Sequence, residues 1–147
     1  MKQFLLAAVV VAVAQAGAAD GIVSYKTDQS FEDVTFGLES AIIDMGLVVD
    51  ATSHVGDMLE RTRADVGSDI VLFDKADVFS FCSATISREV MEADPMNIGF
   101  CPYDIFVAVR HETPDETIIG YRDFPDGEMQ KVQAMLDSIV RAAIGLD

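Results

Sequence analysis

The chain has 147 residues, with 25 Asp and Glu against 10 Lys and Arg, which gives a formal net charge of -15. This length predicts one domain. The short-period mixture of apolar and polar residues excludes disorder, collagen and coiled coil. The excess of carboxylates opposes binding to nucleic acids, whose phosphates carry the same sign of charge.

The first nineteen residues predict a secretory signal peptide. Lys2 supplies a positive start, an apolar run extends from Phe4 to Ala14, and small residues follow up to Ala19. Cleavage would leave a single domain over residues 20–147 in the periplasm of a bacterium, or secreted. No later apolar run approaches the ~20 residues that a membrane span requires, so no membrane contact is expected after cleavage.

The first half of the mature chain predicts a strand at 21–27 and a helix that begins after Ser30 and ends at Gly46. A second strand is expected at 47–51 and a short helix at 58–64. The buried stripe of the first helix is expected to contain residues spaced by three or four positions, namely Phe31, Val34, Leu38, Ile42 and Met45.

The second half predicts a turn at 74–77, strands at 78–82, 98–109 and 117–121, and a helix at 84–93. A closing helix is expected to be capped by Asp126 and to end at Gly145. The resulting order, β-α-β-(α)-β-α-β-β-α, predicts a single α+β domain with an antiparallel-rich sheet and helices packed on one face.

Cys82 and Cys101 are the clearest chemical feature of the sequence. Two cysteines in an exported protein indicate a disulfide, which would close a twenty-residue loop. Two buried free thiols are an alternative, because a thiol behaves as a small apolar group. A redox, sulfur-carrying or metal-binding role is the third interpretation.

His54 and His111 could join the two thiolates in a Cys₂His₂ metal site, but their spacing is not diagnostic. We therefore predict no metal and no cofactor. Motifs for dinucleotides, phosphates, zinc proteases and hydrolase nucleophiles are absent from the sequence, so no catalytic residues are predicted.

Pro102, Tyr103 and Asp104 follow the second cysteine directly. Proline withholds a backbone N–H from a sheet, so this point must be an edge, a bulge or a strand entry. Such irregularities often line pockets. The three residues are therefore a candidate pocket mouth, and an irregular strand start is the alternative.

Three stretches together resemble the bacterial and archaeal family labelled domain of unknown function 302. They are the strand and helix from Val23 to Leu47, the strand ending in Cys82 with the helix up to Pro95, and Ile98–Cys101 leading into Ile105–Val109. The resemblance implies a fold similar to the TATA-binding-protein-like α+β class and no established activity. Two departures stand out: Ser83-Ala84 replaces the family's Asn-Pro, and Pro102 follows the second cysteine instead of preceding it.

These features favour an exported module that binds a small molecule or a protein without turnover. A homodimer formed through the sheet or the cysteine-bearing edge is expected. The alternative is a thiol-based accessory protein that uses Cys82 and Cys101 for redox, sulfur-carrier or metal chemistry.

Overall fold

The computed structural model describes residues 17–19 and 21–146 and forms a mixed α+β domain, as predicted. Six antiparallel strands follow the order β1-β2-β6-β5-β4-β3. The elements in chain order are β1 (Gly17–Ala19), β2 (Ile22–Thr27), α1 (Phe31–Asp44), β3 (Val49–Ser53), α2 (Val55–Thr62), β4 (Phe73–Phe81), α3 (Ala84–Ala93), a 3₁₀ helix (Pro95–Phe100), β5 (Tyr103–Arg110), β6 (Thr117–Arg122) and α4 (Gln130–Ala143).

The predicted signal peptide lies outside the described residues except for its last part, 17–19. There the backbone forms β1, which pairs with β2 at one edge of the sheet. Within the described part of the chain, no helix has the length and apolar character of a membrane span.

Helix α1 begins where the sequence indicates. The Ser30 hydroxyl accepts a hydrogen bond from the Asp33 amide at 3.1 Å, and Gly46 adopts a φ of +74°, which ends the helix. The predicted stripe is buried at Val34, Leu38 and Ile42. Met45 is 47% exposed, so its predicted burial was wrong: it lies at the C-cap, beyond the last turn that contacts the sheet.

The turn predicted at 74–77 is also wrong, because these residues belong to β4. Lys75, Ala76 and Asp77 pair with β5 across a bulge near Phe73. Their charged side chains are paired as well, Lys75 with Glu32 and Asp77 with His54. Cross-strand pairing therefore outweighs the low strand propensity of these residues.

Four further boundaries differ from expectation. The start of the strand predicted at 98–109 forms the 3₁₀ helix, which Pro95 and the Asp94 cap initiate. The closing helix begins at Gln130 and is not capped by Asp126, since Gly127 turns the chain with a φ of +92°. Strand β3 begins two residues later than predicted. Helix α2 begins three residues earlier than predicted.

Helices α1 and α4 cross on one face of the sheet, which we call the inner face, and enclose the core with it. The crossing is close at Gly37, where an added Cβ would overlap the carbonyl oxygen of Ala143 and lie 3.2 Å from its carbonyl carbon. The predicted apolar stripe of α4 is buried in this core: Met129, Val132, Leu136, Ile139, Val140 and Ala143.

Asp137 joins α4 to the sheet. Its Oδ1 accepts hydrogen bonds from the hydroxyls of Tyr25, at 2.6 Å, and Tyr121, at 2.8 Å. Both phenols are buried. Burial raises the pKa of each phenol above its ordinary value, and the hydrogen bond to Asp137 raises it further, because ionisation would place a second negative charge beside the carboxylate.

We expect Gly37→Ala to lower the free energy of unfolding by about 1–3 kcal/mol, because the methyl group meets backbone that cannot rotate away. This loss should outweigh the gain in helix propensity of about 1 kcal/mol. Urea denaturation measures the difference. Gly99→Ala is the matched control, since an added Cβ there meets no atom within 4 Å. Equal stability of the two variants would contradict the close crossing.

We expect the tyrosine–aspartate cluster to make the fold sensitive to alkali. A phenol whose pKa is raised by folding stabilises the folded state below its unfolded pKa of about 10, and this stabilisation is lost as the pH rises above that value. Urea midpoints measured across this range should fall less steeply in Tyr25→Phe/Tyr121→Phe than in the wild type. Tyrosinate absorbance that rises near pH 10 without unfolding would argue against the cluster.

Candidate functional site

The two cysteines meet at the base of the connection between β4 and β5. Phe81, the last residue of β4, pairs with Tyr103, the first residue of β5. Cys82 and Cys101 lie just outside this pair, and their sulfurs are 2.8 Å apart. The sequence prediction that the cysteines lie close together is met by this geometry. Both are free thiols here, and a covalent bridge between them stays a prediction.

Residues 83–100, which we call the excursion, leave and return at this point. Ser83 caps α3, where its hydroxyl accepts a hydrogen bond from the Ile86 amide at 3.3 Å. The side chain of Asp94 then caps the 3₁₀ helix by accepting from the Met96 amide at 2.9 Å. Two capped helices in succession bring the chain back beside its starting strand, which places the second cysteine against the first.

The surroundings of Cys82 disfavour its thiolate. Burial raises the pKa of the Cys82 thiol to about 11, with further contributions from the Cys101 sulfur and the Asp50 carboxylate. A hydrogen bond from the Tyr103 amide opposes this shift but does not cancel it. A thiol with such a pKa is a weak nucleophile at neutral pH, because the thiolate is the reactive form.

The three residues of the candidate pocket mouth do not act together. Tyr103 is buried on the inner face, where its hydroxyl lies 3.0 Å from that of Ser87. Asp104 points to the opposite face and accepts a hydrogen bond from the Ser80 hydroxyl at 2.5 Å. Pro102 is exposed before them, after a cis peptide bond. Tyr103 and Asp104 therefore cannot line one cavity.

The histidines lie elsewhere. The Nδ1 atom of His54 is 2.9 Å from Asp77, and that of His111 is 2.7 Å from Asp74, both on β4. The two histidines therefore do not join the cysteines in the Cys₂His₂ arrangement that the sequence analysis considered and did not adopt. In the part of the chain that the structure describes, no three side chains of metal-ligating type are grouped.

The excursion also carries a feature that the sequence analysis missed. Met96 is 75% exposed and Ile98 is 57% exposed, both on the 3₁₀ helix. Their neighbour Phe100 packs against Phe124, with ring centroids 5.8 Å apart. The only sequence signal is Asp94-Pro95, which starts a short helix. The exposure of Met96 and Ile98 could not be predicted, because the identity of an apolar residue does not reveal whether its side chain is buried.

A single α+β domain with a cysteine pair at the base of one strand connection is the class that the fold and site define. The chain belongs to the family described as Domain of unknown function DUF302, whose family model matches residues 23–143. It is similar in fold to the crystal structure of an uncharacterized conserved protein DUF302 from Bacillus stearothermophilus. The TM-score is 0.61 at 15% sequence identity, over 86% of this chain and 98% of that one. None of the curated proteins matches the chain significantly.

We expect reduced, folded protein to be alkylated at Cys82 with a rate that keeps rising up to a pH of about 11. In Cys101→Ser the midpoint should fall but stay above the ordinary thiol value of 9.0, because burial is the largest cause of the shift. Iodoacetamide labelling followed by peptide mass spectrometry gives the rate, and protein unfolded in urea is the control. A folded-state midpoint at or below that of the unfolded chain would refute the assignment.

Proposed function

We propose that the protein is an exported interaction module without turnover, and that the excursion is its recognition element. A Cys82–Cys101 disulfide fixes the base of that element. The observation that carries this proposal is the 2.8 Å contact between the two sulfurs where the excursion leaves and rejoins the sheet. Export rests on the signal-peptide sequence and places the pair in an oxidising compartment.

The tip of the excursion has the properties of a preformed binding surface. Met96 and Ile98 point to solvent, whereas the Asn97 side chain donates a hydrogen bond to the Val90 carbonyl at 2.9 Å. Phe100 anchors the other end in the core. A surface that is already ordered loses less conformational entropy on binding. A larger part of the free energy from burying the two apolar side chains therefore contributes to affinity.

The charges of the excursion are largely neutralised within the molecule. Arg88 pairs with Glu92 at 2.5 Å, and Glu89 pairs with Lys131 of α4. Asp94 is occupied as a helix cap. The tip therefore presents an apolar surface with little charge on a strongly acidic protein, which suits a protein partner with an apolar pocket.

The raised pKa of Cys82 supports a structural bridge over thiol turnover. At pH 7 a thiol with a pKa of about 11 is ionised in roughly one molecule in 10⁴. That fraction is too low for Cys82 to be an efficient redox or sulfur-carrying nucleophile. A disulfide closing a loop of about twenty residues stabilises a fold by roughly 3 kcal/mol in the chain-entropy model.

A cleft supports small-ligand binding as a second candidate function. It has a volume of about 520 Å³ and lies between the start of α1, the start of β4 and the β5–β6 turn. Small-molecule sites commonly have volumes of ~300–1,000 Å³. Phe31 lines the cleft, and the Lys75 ammonium lies 5.5 Å from the centre of its ring. Native mass spectrometry of protein purified from its own host would reveal a retained ligand.

Photocrosslinking in the native host tests the interaction surface. We expect a photoreactive residue at position 96 to give one discrete adduct that also forms from position 98. Position 66 is the matched control, because Val66 is 75% exposed, as Met96 is, but lies outside the excursion. Cys82→Ser/Cys101→Ser should weaken the adduct several-fold. The same adduct from position 66, or none from 96 and 98, would overturn the proposal.

A further inference from the structure

The sheet has a second face, opposite the inner one, which we call the outer face. Strict alternation and cross-strand pairing assign to it Ile22, Ser24, Lys26, Ala76, Val78, Ser80, Asp104, Phe106, Ala108, Arg110, Ile118, Gly120 and Arg122. Its centre is apolar: Val78, Phe106 and Ile118 are half-buried and Ala108 is 5% exposed.

Strand β5 is apolar on both sides. From Ile105 to Val109 no polar residue interrupts the strand, whereas a sheet face in contact with water normally alternates polar and apolar residues. Helices α1 and α4 supply the main helix packing against β5 and β6, on the inner face. A continuous apolar run is typical of a strand covered on both sides, so the outer face calls for a second layer.

We infer that a second copy of this chain covers the outer face, in two-fold symmetric packing of sheet on sheet. Aligned sheets pack with their strands within about 30° of each other. A two-fold axis that lies between the two sheets and runs perpendicular to the strands preserves this alignment. It brings the same surface patch of both copies into contact. The inference does not depend on the excursion, which lies beyond the end of the sheet at the Phe81–Tyr103 pair.

The outer face is complementary to itself in shape. Phe106 and Val78 are cross-strand partners and form a ridge, and the Phe106 ring fills the space above Gly120. Ala108 lies in the next row with the same orientation and forms a depression, whereas its partner Ala76 is packed closely against Gly56 of α2 at the margin of the face. A two-fold axis between these rows places the Phe106 ridge of each copy over the partner's Ala108.

Charge favours the same arrangement. The outer face carries Lys26, Arg110 and Arg122 against Asp104, in a chain whose net charge is -15. Glu116 at the margin pairs with Lys26 at 3.0 Å and Arg110 at 3.4 Å. Two copies can thus approach on this face without the repulsion between acidic surfaces that other approaches involve. The same axis places Asp104 opposite the partner's Arg110.

The area is sufficient for a specific contact. Four strands spaced ~4.8 Å apart and about six residues long cover ~400 Å² in projection. Because side-chain relief adds to the projected area of both copies, the total burial reaches roughly 1,000 Å², where specific interfaces begin.

Sedimentation equilibrium of the mature protein tests the inference. We expect twice the monomer mass at micromolar concentration and a dissociation constant about 100-fold higher in Ile118→Glu, which places a charge in the apolar centre. Phe36→Glu is the control, since Phe36 is 72% exposed on α1 and should leave the dimer intact. A monomeric wild type, or dissociation by Phe36→Glu, would overturn the inference.

Charge reversal provides an independent measurement on folded variants. Asp104→Arg and Arg110→Asp should each weaken the dimer about tenfold, and the double variant should recover most of the wild-type affinity. Circular dichroism confirms that each variant is folded. A double variant as weak as the singles would exclude this two-fold arrangement even where a dimer exists.

Discussion

The antiparallel register of β4 and β5 is the constraint on which the rest of the structure depends. The pairing from Phe81–Tyr103 to Phe73–Arg110 directs Phe79, Ile105 and Val107 to the inner face and leaves their neighbours on the outer face. If either strand slipped by one residue against the other, all of its side chains would move to the opposite face of the sheet. The same pairing closes the excursion and brings the two sulfurs together, so the core and the site share one origin.

The sequence predicted the elements that carry a clear local signal. The apolar period of α4, that of α1 apart from Met45, and the cap at Ser30 lie where expected, because each is encoded within a few neighbouring residues. The turn prediction for residues 74–77 failed for the opposite reason. Their Asp and Lys residues are typical of a turn, and only pairing with β5, which is distant in sequence, makes them a strand.

The site was predictable only in part. The proximity of Cys82 and Cys101 was expected, because two cysteines in an exported protein indicate a disulfide. The prediction that Tyr103 and Asp104 line one pocket failed, because neighbouring residues of a strand point to opposite faces of the sheet. Asp137 lies beside the buried stripe of α4, and no local pattern reveals that Tyr25 and Tyr121, from two different strands, both donate to it.

Charge limits where partners can approach this protein. A net charge of -15 makes most of the surface acidic, and two regions depart from that character. One is the excursion, whose ion pairs are internal, and the other is the outer face, whose charges are mainly basic.

The excursion lies at one end of the sheet, whereas the outer face is one of its two broad sides. Association of two copies through the outer face would therefore leave both excursion tips exposed to solvent, and reduction of the cysteine pair would loosen the tips without weakening the dimer. Such a dimer presents two identical recognition elements, so a partner with two sites would bind it with an effective concentration set by the rigid sheet between the tips.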